Sequence, residues 1–218
     1  MSDSPNENPF SGLPFFGDMA KAMSSQGPLQ WDVARQTAMM TALSGNSTEP
    51  NVDPAARVGI ERLVPIADLH VRNHTGLDTA PAGKEPNVVV VNRSMWVHHT
   101  LESYKPLFNE LATSLSGSPA IPTDALDLNQ DDPMMNMMAS LNKMMAPAMM
   151  GMSVGTMVGQ LALKSFGQYD LPLPREPRDQ MLIVASNVDE FAHDWSIPAD
   201  DMRMWVLIHE LTSHAVLT

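Results

Sequence analysis

The stretch Pro198–Thr218 constrains the fold most. After Pro198 no proline or glycine interrupts it, so the spacing predicts one helix to the end of the chain. Pro198 suits a first helical turn, where its missing N–H is no loss, and Asp200 and Asp201 suit the positive helix N-terminus. On a wheel of 3.6 residues per turn, Met204, Leu207, Ile208, Leu211 and Ala215 form one apolar face. Met202, Trp205, Val206 and Val216 form a second, with His209 and Ser213 among them. A helix apolar on nearly every side is expected to be enclosed, with Trp205 and Leu211 in the core. His209 and Glu210 then each require a polar partner, because burying such groups alone is costly.

The run His209-Glu210-Leu211-Thr212-Ser213-His214 is close to a zinc-peptidase helix. In His-Glu-x-x-His, residues i and i+4 share a face and both imidazoles reach one ion, while the glutamate serves as general base. Here Ser213 occupies i+4 and the second histidine, His214, stands at i+5, about 140° round from His209 in a regular helix. A π-bulge would bring the two rings together. The six-residue run resembles the His-Glu-x-x-x-His segment of the dipeptidyl peptidase III family of zinc peptidases. This pattern makes His209 and His214 candidate zinc ligands and Glu210 the candidate catalytic base.

Three longer runs carry a second resemblance. They are Asn8-Pro9-Phe10 through Gly27-Pro28-Leu29-Gln30-Trp31-Asp32, then Gly167-Gln168-Tyr169-Asp170-Leu171-Pro172-Leu173-Pro174-Arg175, then Trp205 through Thr218. Together they resemble a bacterial family of zincin-like metallopeptidases. Its members are called hydrolases, or proteins associated with biosynthesis of a deazaflavin coenzyme. The run from Gly167 to Arg175 is the most specific of the three. The family pattern in the last run is similar to His-Glu-Leu-Thr-His-His-Ala, which His209, Glu210 and His214 match, with Ser213 in place of the first histidine of the pair. The resemblance implies a multi-helix zincin-like domain, a zinc cofactor and a peptide or protein substrate. Family members continue past this helix, so the chain is expected to be an N-terminal part of a longer member, incomplete at its C-terminus.

The remaining sequence predicts a mainly α fold with a small β-sheet, of the α+β class. Residues 1–27, rich in Ser, Pro, Asn and Gly, are expected to be a disordered arm. Residues 28–218 are expected to form a single mainly helical domain of about seven helices. Helices are predicted over Leu29–Leu43 and from an Asp53-Pro54 start to about His74, with a break or kink at Pro65. The β-branched run Val88–Val91 predicts a strand, and Met181–Ala185 a second. Ser94 is expected to cap a helix that Pro106 restarts, with Leu107, Leu111 and Leu115 continuing its stripe. Ser116–Asp132 is expected to be a loop, and Pro133–Phe166 a long Met-rich helix broken at Pro147, its methionines mostly in the core. Gly151, Gly155 and Gly159 recur on one face and would let another backbone come close. Leu171-Pro172-Leu173-Pro174 reads as a stiff connector, and Asn187–Trp195 as a short helix.

Composition narrows the function. A formal net charge of −12 argues against nucleic acid or an anionic membrane as partner. The absence of cysteine excludes disulfides and thiolate metal sites. Met1-Ser2-Asp3-Ser4-Pro5 lacks the basic and apolar regions of a signal peptide, so a cytoplasmic location is expected. His70 and His74, at i and i+4, read as a surface pair, and adjacent His98 and His99 face different ways. A third ligand is sought near the last helix, in Glu190, His193 or Asp194. Two readings follow: a zinc-dependent hydrolase, or a non-catalytic helical interaction protein of the same fold in which Ser213 marks a lost site.

Overall fold

The computed structural model describes residues 27–44, 46, 48–81, 84–116, 133–171 and 179–217. The expected arm before Gly27, the loop over 117–132 and the Leu-Pro-Leu-Pro connector beyond Leu171 lie outside the described residues. Within them the fold is mainly α with a small sheet, as the sequence predicts. In chain order come α1 (Trp31–Ala42), α2 (Pro54–Thr75), β1 (Asn87–Val91), α3 (Arg93–Ser116), α4 (Pro133–Ala162), β2 (Gln180–Val184), α5 (Ala185–Asp194) and α6 (Ala199–Leu217). The chain divides into two compact units. The first holds the described residues up to Ala34 and from Pro106 to Val154, and the second holds 35–105 and those from Gly155 onward.

The second unit carries a core built on its sheet. β1 and β2 pair in parallel, with Asn87 opposite Gln180 and Val91 opposite Val184. Parallel neighbours require a long crossover, which the chain between Val91 and Gln180 supplies. α2 and α6 pack against the sheet and each other, and α5 packs against α6. Ile60, Val71, Val90, Ile183, Val188, Val206, Leu207 and Leu211 form the centre of this core. The Asp53-Pro54 start is as expected: Asp53 Oδ1 accepts from the Ala55 N–H at 3.0 Å, and Pro54 opens the helix. At the other end Gly76, at φ 71°, takes the left-handed conformation that closes α2.

Three expectations need correction. Prolines 65, 106 and 147 do not break their helices; α2, α3 and α4 each run through one. A proline removes a single N–H, and Pro65 and Pro106 stand on exposed faces where water can take the freed carbonyl. The start of α3 is capped by Asn92, whose Oδ1 accepts from the Met95 N–H, and by Glu49, whose carboxylate accepts from the Arg93 and Ser94 N–H groups, rather than by the Ser94 side chain. Among its described side chains the Met-rich stripe is not mainly core: Met145, Met149, Met152 and Met157 are about half exposed, as are Leu111 and Leu115 on α3.

The glycine face of α4 explains the methionines. In the first unit a Cβ on Gly151 would lie 2.6 Å from the Gln30 carbonyl oxygen, and Gln30 N–H donates to the Pro147 carbonyl at 3.1 Å. In the second unit a Cβ on Gly159 would lie 2.5 Å from Thr41 Cβ and 2.7 Å from the Ala38 carbonyl oxygen. So close an approach leaves room only for glycine on that face, and the long side chains point elsewhere. Gly159→Ala therefore gains roughly 1 kcal/mol of helix propensity but incurs overpacking of roughly 1–3 kcal/mol. The expected outcome is a net loss of stability in urea denaturation; a more stable variant would show that α1 and α4 can move apart freely.

Candidate functional site

The site lies in the second unit, where α6 meets the loop that follows α4. The end of α4 is fixed first. Asn187 Nδ2 donates to the carbonyls of Ala162 (2.9 Å) and Ser165 (2.6 Å), satisfying acceptors that a helix end leaves open. Arg93 Nε holds Asn187 Oδ1 at 2.6 Å. The loop Phe166–Leu171 is then tied to the core along its length. Val184 N–H donates to the Phe166 carbonyl at 2.7 Å, Trp96 Nε1 to the Gly167 carbonyl at 2.7 Å, and Tyr104 Oη to the Leu171 carbonyl at 2.9 Å.

Two carboxylates take the loop's amides. Asp170 Oδ2 accepts from Gly167 N–H at 3.1 Å and also from Phe166 N–H. Glu210 Oε2 accepts from Gln168 N–H at 2.8 Å and Tyr169 N–H at 2.9 Å. Glu210 comes from the middle of α6 and is fully buried. It fits because residue 167 has no side chain: a Cβ there would lie 2.5 Å from Oε2 and 2.7 Å from Cγ of Glu210.

The other oxygen, Oε1 of Glu210, is buried and makes no hydrogen bond. It lies 3.4 Å from His209 Nδ1, an ion-pair approach without hydrogen-bond geometry. His209 is partly exposed, and the Trp205 indole stacks on its ring at 5.6 Å between centroids and 14° between planes. Trp205 itself is 57% exposed, which corrects the expectation that it is core. Only one face of α6 is enclosed, by way of Met202, Val206, Leu207, Glu210 and Leu211.

Among the described residues, Asp170, His209 and Glu210 form a group whose potential ligand atoms all lie within 4.8 Å of one another. His214 is not in it. Its Nδ1 meets the Tyr169 hydroxyl at 2.7 Å, and α6 is helical throughout, with no bulge to turn His214 toward His209. Nor do Glu190, His193 or Asp194 join the group: all three are exposed, and Glu190 pairs with Arg93 at 2.5 Å. His74 Nδ1 contacts the His70 carbonyl, so that pair is a surface feature. A shallow depression lined by Pro54, Val58, Arg62 and Arg203 shares no residue with the group, and its arginines are already paired with Asp189 and Asp200.

The electrostatics favour protons at the centre of the site. Burial raises the Glu210 pKa above the usual carboxylate range, against the opposing pull of His209 and the two amides. The neighbouring Glu210 carboxylate raises the His209 pKa above its ordinary value, against partial burial. Burial lowers the His214 pKa. Asp170, Gly167 and Tyr169 are not recognisable as site residues from sequence spacing. Their only signal was the Gly-Gln-Tyr-Asp run itself.

The family model described as zincin-like metallopeptidase matches residues 29–218. No curated protein matches. The chain is similar in fold to a crystal structure of a candidate hydrolase with a novel fold from Chloroflexus aurantiacus, with a TM-score of 0.57 and 20% identity. The likeness covers 85% of this chain but 52% of that one, so the chain spans about half the length of that structure.

Two outcomes are expected. Gly167→Ala would push the buried carboxylate off its two amides, each such charge-assisted bond being worth roughly 1.5–3 kcal/mol. A loss of about 3 kcal/mol or more in denaturant titration is expected, and unchanged stability would show that Glu210 shifts without cost. The second concerns pH. The His209 pKa is raised in the folded chain, so its contribution to stability is full below its ordinary value of 6.5 and is lost as pH rises through the folded value. The metal-free chain is therefore expected to lose more stability between neutral and mildly alkaline pH than His209→Gln does. Parallel pH profiles for the two would rule this out.

Proposed function

The chain belongs to the zincin-like metallopeptidase family, and we propose that it is a zinc-dependent hydrolase acting on peptide bonds, with its metal held by His209 and Asp170 beside Glu210. The observation that carries this reading is the orphaned Oε1 of Glu210, buried 3.4 Å from His209, in a residue that groups with His209 and Asp170. An imidazole and a carboxylate are both donors that suit zinc, and Glu210 stands beside them with one oxygen left for proton transfer. Bound zinc would supply Lewis acidity for the attack of water on a carbonyl.

The chain's own residues do the rest. Glu210 Oε2 is fixed by two N–H groups, so Oε1 is the atom left to take up a proton. Its raised pKa moves it toward the neutral range in which general acid–base groups are effective. His209 is held edge-on by Glu210 and face-on by Trp205, and such neighbours orient a metal-binding imidazole.

A second reading has its own support. Ser213 stands where His209's partner would be, and Glu210 already serves to hold the loop. On that reading the chain is a non-catalytic member of the fold. Zinc content of the purified chain by mass spectrometry, with calorimetric titration, separates the two. About one zinc per chain is expected, with His209→Ala and Asp170→Asn each weakening binding by roughly tenfold or more and Ser213→His strengthening it. No zinc after purification without chelator, and none on titration, would leave the second reading.

A further inference from the structure

Tyr169 is held by α6 at both of its ends. Its backbone N–H donates to Glu210 Oε2 at 2.9 Å, and its hydroxyl meets His214 Nδ1 at 2.7 Å. Glu210 and His214 stand four positions apart, so they share one face of α6. Burial favours the neutral form of His214, whose Nδ1 can accept the hydroxyl's hydrogen bond. Tyr169 is buried, whereas the next residue, Asp170, is exposed and stands beside His209. The place of the Asp170 carboxylate is thus set by the backbone path through Tyr169.

We propose that Tyr169 and His214 are positioning residues: they latch the Phe166–Asp170 loop to α6 and so hold the Asp170 carboxylate beside His209. The functional half of this inference rests on metal binding by Asp170 and His209; the latch itself does not. His214, which lies off the His209 face, thereby acquires a task other than ligation. The same two residues tie the Gly-Gln-Tyr-Asp run to the His-Glu run.

The test uses the full chain, the variants Tyr169→Phe, His214→Ala and His214→Asn, the double variant of Tyr169→Phe with His214→Ala, and His209→Ala as the ligand control. Asparagine keeps a polar atom near the place of Nδ1. Amide hydrogen exchange over 166–171 is followed without metal, and cobalt(II) binding is followed by visible absorption. Tyr169→Phe and His214→Ala are expected to speed exchange of the loop amides roughly tenfold, as loss of one buried hydrogen bond would. His214→Asn should restore much of the protection. Cobalt affinity should fall roughly tenfold in the first two variants, with the absorption band retained and no further loss in the double variant. Unchanged exchange in both would overturn the latch. If His214→Asn abolishes the cobalt band as His209→Ala does, then His214 is a ligand and the positioning role is overturned. If exchange responds as expected but the wild-type chain binds no cobalt, the latch stands and the zinc reading falls.

Discussion

A buried carboxylate receiving two consecutive backbone amides underlies the rest of the site. Glu210 would be costly inside the core if its charge had no partners. The Gln168 and Tyr169 N–H groups meet one oxygen, and the absent side chain at Gly167 makes the space. The loop in turn would leave four successive amides open without Glu210 and Asp170. Each element therefore satisfies a polar group of the other. The hydrophobic contacts of Val206, Leu207 and Leu211 bring α6 to the core, and the carboxylate fixes what its polar edge meets.

That arrangement gives the two readings of the site a common physical basis. A glutamate that holds a loop by one oxygen retains the other for chemistry. The unpaired Oε1 and the raised pKa are what a proton-transfer group needs, and they arise from the same burial that makes the residue structural. On the metal-binding reading, Asp170 takes the place that an imidazole at position 213 would have, because it is the group that the structure sets beside His209.

Much of the fold could be read from the residues because local chemistry decided it. The Val88–Val91 run is β-branched, Asp53-Pro54 is a cap followed by a first-turn proline, and the glycine spacing on α4 marks a close approach. What failed was decided by tertiary context. The enclosed stripe of α6 runs between its two apolar faces, taking Leu207 and Leu211 from one and Met202 and Val206 from the other, and periodicity does not show that Trp205 falls outside it. The prolines within α2, α3 and α4 look like breaks in sequence, but each removes only one bond. At the site, the spacing of His209 and His214 sets them about 140° apart in a regular helix, and α6 is helical throughout. Asp170 was hidden because it is distant in sequence and looks like an ordinary turn acid. Only folding puts it beside α6.

Surface connections between elements usually tolerate added or missing residues, since few partners depend on their length. The stretch after α4 is an exception. Phe166 and Gly167 give their amides to Asp170, Gln168 and Tyr169 give theirs to Glu210, and the carbonyls of Phe166, Gly167 and Leu171 go to Val184, Trp96 and Tyr104. One residue more or fewer would shift every later group out of step with a fixed partner. A segment with no regular secondary structure is in this way as rigid in length as a strand in register.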